Sequence, residues 1–145
     1  MSNRDLFLRM LDDAYQRKAW HGPNLRGSLR GLTDDQASWR PARGRHSIWE
    51  LAVHCAYWKY AVRRRLIGLK RGTFPRKGSN WLPPSGDWND DLRLLANEQR
   101  ELLDAIRTAS SPKLRAHERL IYGVAAHDVY HTGQIQLIKR LGGFL

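Results

Sequence analysis

The chain has 145 residues, a single cysteine and a formal net charge of +11. That length matches one ordinary domain with a buried core, and a lone cysteine excludes an intrachain disulfide and suits a reducing cytoplasm. No stretch approaches the ~20 apolar residues of a membrane span, and Asp5, Asp12 and Asp13 interrupt the N-terminal apolar pattern where a signal peptide would be unbroken.

Residues 1–145 read as one domain. A first helix starts near Asn3 and carries Leu6, Phe7, Met10, Leu11 and Ala14 at helical spacing. Gly22-Pro23 predicts a kink in it before Leu25, Leu29 and Leu32. Thr33 and Gln36 have capping-box spacing for a short helical turn that Pro41 ends. Ser47 and Glu50 form a second capping box and open helix 2, which should end at Gly68 or near Gly72. From Gly72 to Gly86 the chain contains Pro75, Pro83 and Pro84 and cannot be a regular helix. An extended connection of about 15 residues spans a helix about 30 Å long, so helix 3 is free to run parallel to helix 2.

Helix 3 begins around Asp87, with acidic residues in its first turn and Leu92, Leu95, Leu102, Leu103 and Ile106 as core positions. Ser111-Pro112 marks the start of helix 4. It continues to Leu141, where Gly142-Gly143 stop it. Gly123 and Gly133 within it each cost roughly 1 kcal/mol of helix propensity, which points to close approach of another helix or of a ligand. The expected fold is all-α: a four-helix bundle, up-down-down-up, with a long irregular loop between helices 2 and 3.

In GVAAHDVYHTGQIQLI, His127 and His131 lie four residues apart and project from one helix face. Leu120, Val124, Ile135 and Ile138 form a stripe whose centre line passes through them, so the pair points into the core. Two inward imidazoles need polar partners, and one transition-metal ion satisfies both. A third ligand has to come from His21, His46, His54 or His117. His54 stands at the edge of the apolar side of helix 2, formed by Ile48, Leu51, Cys55, Trp58 and Val62. His21 and His46 fall in turns or helix ends, and His117 follows Pro112 near a helix start. His54, His127 and His131 are therefore the candidate ligands, and three neutral ligands leave open positions on an ion.

The segments HCAYW and GVAAHDVYHTGQI resemble the DinB/YfiT-like superfamily over nearly the whole chain. The resemblance implies a four-helix bundle that holds a divalent metal through one histidine of the second helix and two of the fourth, which map onto His54, His127 and His131. It also implies thiol transfer with a low-molecular-weight thiol, or metal-dependent hydrolysis, on a small-molecule substrate. The ion would lower the pKa of a water or thiol. Zinc is the default for imidazole donors, with nickel or iron also accepted.

Around the candidate ligands, Asp128 points about 100° away from His127 and suggests a supporting or surface role. Gln134 is placed to hydrogen-bond an imidazole, Tyr130 to pack or face solvent, and Cys55 to be a small core residue. Trp49, Trp58, Trp81 and Trp88 either wall a substrate pocket or pack the core and pin the long loop. Lys59, Arg63, Arg64, Arg65, Lys70, Arg71, Arg76 and Lys77 fall in a stretch without an acid and predict a positive surface. That surface supports a second reading, a basic module gripping nucleic acid or another polyanion, although no helix-turn-helix, zinc-finger or RNA-binding signature accompanies it. Trp81 and Trp88 beside Pro83-Pro84 suggest exposed aromatics and hence a homodimer.

Overall fold

Side-chain caps set where the helices begin. In the computed structural model, which describes residues 1–145, the Ser2/Asp5 and Ser47/Glu50 capping boxes open α1 (Asn3–Tyr15) and α4 (Ile48–Ile67). Between them lie α2 (Leu25–Leu29) and α3 (Asp34–Ser38), capped by Asn24 and by a third box of Thr33 and Gln36. Asp87 caps α5 (Trp88–Thr108), and Ser110 caps α6 (Ser111–Ala116), which precedes α7 (Glu118–Gly142). Left-handed glycines stop two of the long helices, Gly68 at φ 72° after α4 and Gly143 at φ 75° after α7. The chain is all-helical, and no helix is long and apolar enough to cross a membrane.

Two predicted helices are each divided. The first ends at Tyr15 rather than kinking at Pro23, and Asn24 then starts α2 afresh by accepting from Gly27 N at 2.8 Å. The fourth breaks at His117, whose φ of −116° leaves the helical range and whose N–H is shared between the carbonyls of Lys113 and Leu114. Gly123 and Gly133 do not mark close helix contacts: a Cβ added at either meets nothing within 4 Å.

Helix α4 packs on α5 and α7, and α1 packs on α7 and α5. Cross-helix bonds give the relative order of residues. Trp49 Nε1 donates to Asp91 at 2.7 Å and Lys59 Nζ to Gln99 at 2.8 Å, so numbers rise together along α4 and α5. Arg4 reaches the carbonyls of Arg107 and Ala109, whereas Gln99 reaches that of Leu11, so they run oppositely along α1 and α5.

The apolar interior forms two clusters. One gathers Ile48, Ala52, Ala56, Trp88, Leu95 and Ile135, and the other Leu11, Val62, Leu66, Leu102, Ile106 and Ile121. Between them lies buried polar matter from α4, α5 and α7: Lys59, Gln99 and Asp128. Leu120 is not in this interior; Ile121 takes its place, which turns α7 so that Asp128 is wholly buried.

Candidate metal centre

His54 on α4 and His127 and His131 on α7 converge through their Nε2 atoms. His127 Nε2 lies 3.1 Å from His54 Nε2 and 3.1 Å from His131 Nε2. Tetrahedral zinc with Zn–N bonds of about 2.0–2.1 Å separates its ligand nitrogens by about 3.3 Å, so this spacing could hold a metal ion. His54 and His131 are buried, and His127 is half-buried.

The outer nitrogens fix the proton positions. His54 Nδ1 donates to the carbonyl of Asn80 at 3.0 Å, and His131 Nδ1 donates to Gln134 Oε1 at 2.6 Å. Carbonyl oxygens only accept, so both Nε2 atoms present lone pairs toward His127. His127 cannot satisfy this by itself. A proton on its Nε2 serves one lone pair at a time, and a proton on its Nδ1 sits on a buried nitrogen with no partner. A cation at the point of convergence would remove the conflict, and three imidazole nitrogens at this spacing could hold one.

Electrostatics keep the donors unprotonated. Burial pulls His54 down to about 4, against the opposing effect of its bond to Asn80. Burial and the neighbouring imidazoles of His131 and His54 bring His127 to about 3. Burial lowers His131 as well, partly opposed by Gln134. At neutral pH all three offer lone pairs, the form that metals bind.

Aromatic rings and the long loop hold the set in place. Trp81 is stacked between His46 and His54, with ring centroids 3.6 and 3.7 Å apart and planes within 5°. Asn80, at a left-handed φ of 61°, accepts from His54 through its backbone and from Trp58 Nε1 through its side chain at 2.9 Å. Tyr130 is exposed, with its ring edge-on to His131 at 5.0 Å. Sequence reasoning placed His46 in a turn or helix end, away from the ligands, and did not single out Asn80. The available signal was Gly78-Ser79-Asn80, since asparagine tolerates the left-handed region better than most residues. His21 and His117 bond to nearby backbone carbonyls, of Pro23 and Lys113, away from the cluster.

A family model described as the DinB superfamily matches residues 17–135. The chain belongs to that superfamily. No curated protein and no solved structure matches it. The matched segment takes in all three converging histidines and the loop that carries Asn80 and Trp81.

Three expectations about neighbouring side chains are corrected. Lys59 is not part of the positive surface: it is fully buried and ion-paired with Asp128, bonded to Gln99 and stacked over Tyr15. Of the two roles expected for Asp128, the surface one is excluded: it is fully buried beside His127 and forms this pair, where burial pushes its carboxyl up and Lys59 pulls it back. Trp88 is not exposed; it packs against Trp49 in the core, whereas Trp81 is exposed as expected while stacked between two imidazoles. The signal for Asp128 was present, because it stands at helical spacing between Val124 and Ile135. Cys55 is a buried core residue, as expected.

Proposed function

We propose that the chain is an up-down-down-up four-helix bundle of one domain that works as a divalent-metal-dependent enzyme, with His54, His127 and His131 as the ligands. The bundle reading is supported by the residue order across α4–α5 and α1–α5. The metal reading rests on one observation: lone pairs of buried imidazoles converge at 3.1 Å with no hydrogen-bond donor set to satisfy them all. Zinc is the first choice, and nickel and iron suit the same donors.

When bound, the ion supplies Lewis acidity toward a water or a low-molecular-weight thiol, the chemistry of a hydrolase or a thiol transferase acting on a small molecule. The protein's own residues orient the donors. Asn80 and Gln134 hold two imidazoles in the Nδ1–H tautomer, and Trp81 stacks flat on His54 and restricts its ring. Purified protein should carry about one ion per chain, lost on His131→Ala. Wild-type protein that stays metal-free after incubation with zinc, nickel and iron overturns the reading.

We also place a homodimer contact on the outer face of α7, where Tyr130, Leu137 and Leu141 are exposed. Sedimentation should show a dimer that Leu137→Glu dissociates; a wild-type monomer at tens of micromolar protein overturns it. The single, buried cysteine is consistent with action in the cytoplasm.

A further inference from the structure

Part of the positive charge of α4 and the loop after it faces one concavity. Beside the histidines, α4 and the loop after it enclose a pocket of about 660 Å³ whose lining includes Arg64, Arg65, Arg71 and Lys77 and no acidic residue. None of these four cations is in an ion pair, whereas Arg63 and Arg76 are paired with Glu98 and Asp91. Four unneutralised cations facing one space repel each other, and an anion in that space relieves the repulsion.

The pocket is built rather than incidental. Thr73 N donates to the Tyr60 hydroxyl at 3.1 Å and folds the loop back onto α4. Phe74 then packs edge-on to Tyr57 at 5.4 Å and against Tyr60 at 5.1 Å, giving an aromatic floor beneath the cations. Trp58 lines this pocket and also a smaller, apolar depression of about 260 Å³ that His127 lines. The two spaces share Val62 and Leu120 as well, so one ligand can reach from the basic pocket across Trp58 to the histidines.

We propose that this pocket binds the anionic end of the substrate: a small organic molecule with at least two negative charges, of carboxylate or phosphate type, whose apolar part lies over Trp58 toward His127. The assignment of that ligand as substrate rests on the metal-enzyme reading. Size favours a small molecule over nucleic acid. The volume is that of a small-ligand site, and the free cations face one cavity instead of tracking along a phosphate backbone.

The test is calorimetric titration of metal-free protein with phenyl phosphate and with the tricarboxylate tricarballylate at about 100 mM salt. Saturable binding of at least one of them, one per chain, is expected, and the stronger of the two identifies the anionic group. The exposed double variant Arg65→Gln/Arg71→Gln should weaken it at least tenfold. His131→Ala should change it less than twofold, so loss of the metal and loss of the anion are separate results. Protein that binds the anion but never a metal defeats the enzyme reading alone. No saturable binding of either anion, equal affinity in the double variant, or tight binding of a 20-mer oligonucleotide that neither small anion displaces overturns the pocket assignment.

Discussion

Two buried polar clusters meet at adjacent residues of α7, and they are built on opposite principles. Asp128 is matched from within: Lys59 supplies the countercharge, and Gln99 takes another of its ammonium protons. His127 faces two further acceptors and can offer a proton to only one of them at a time. The first cluster carries its own countercharge and joins α4, α5 and α7, with one oxygen, Asp128 Oδ1, left without a hydrogen-bond partner. The second has no charge to match and more lone pairs than protons to fill them. A polar group inside a protein is therefore diagnostic by what it lacks: a matched pair points to architecture, and a surplus of lone pairs points to a ligand.

The largest effect should come from breaking the matched pair. Lys59→Met leaves Asp128 buried without its cation and should cost about 3–5 kcal/mol in urea unfolding of the metal-free protein. His131→Ala in the same metal-free background should cost less, about 1–2 kcal/mol, because it removes a neutral imidazole and its bond to Gln134 and strands no charge. Equal losses in the two variants would erase the distinction between the clusters.

A smaller effect should follow from loosening the orientation of a donor. Gln134→Leu removes the oxygen that accepts from His131 Nδ1, and metal affinity should fall about 10–100-fold in a competitive chelator titration. Unchanged affinity would mean that the tautomer of His131 is held by other means.

Acidity should separate the clusters more gently. The folded-state pKa of His127 is depressed to about 3, so the unfolded chain binds the extra proton first as pH falls. Stability from this group is present above its unfolded value of about 6.5 and is lost progressively as pH drops toward the folded value. Metal-free wild-type should lose more stability between pH 7 and pH 4.5 than His127→Leu does, by chemical denaturation at each pH. Parallel losses would count against burial as the cause. The least change is expected at Cys55, whose thiol burial holds well above its usual range. Iodoacetamide at pH 8 should leave it unlabelled in the native protein and modify it fully in denaturant.

Much of the fold was legible because its determinants are local. Ser47 and Glu50 are three residues apart and cap one helix end, Gly68 and Gly143 stop helices through their own φ, and His127 and His131 share a face by spacing alone. Each of these is a short-range fact that the order of residues carries whole. Helix spacing also brought His54 forward, since it stands beside a stripe that has to pack against something. What spacing leaves open is the exact turn of a helix about its axis. A shift of one position, Ile121 inward instead of Leu120, moved Asp128 from the surface to the centre and gave Lys59 its partner.

The sequence by itself determined the helices, their caps and which α7 histidines face inward, because backbone hydrogen bonds and side-chain periodicity act over a few residues. Only the tertiary structure decided what meets across the helices. It folded the loop so that the carbonyl of Asn80 reaches His54, slid Trp81 between His46 and His54, and joined Lys59 to Asp128 across 69 positions of chain. These contacts depend on loop path and helix rotation, which are set by the packing of the whole interior and are written in no short stretch of residues.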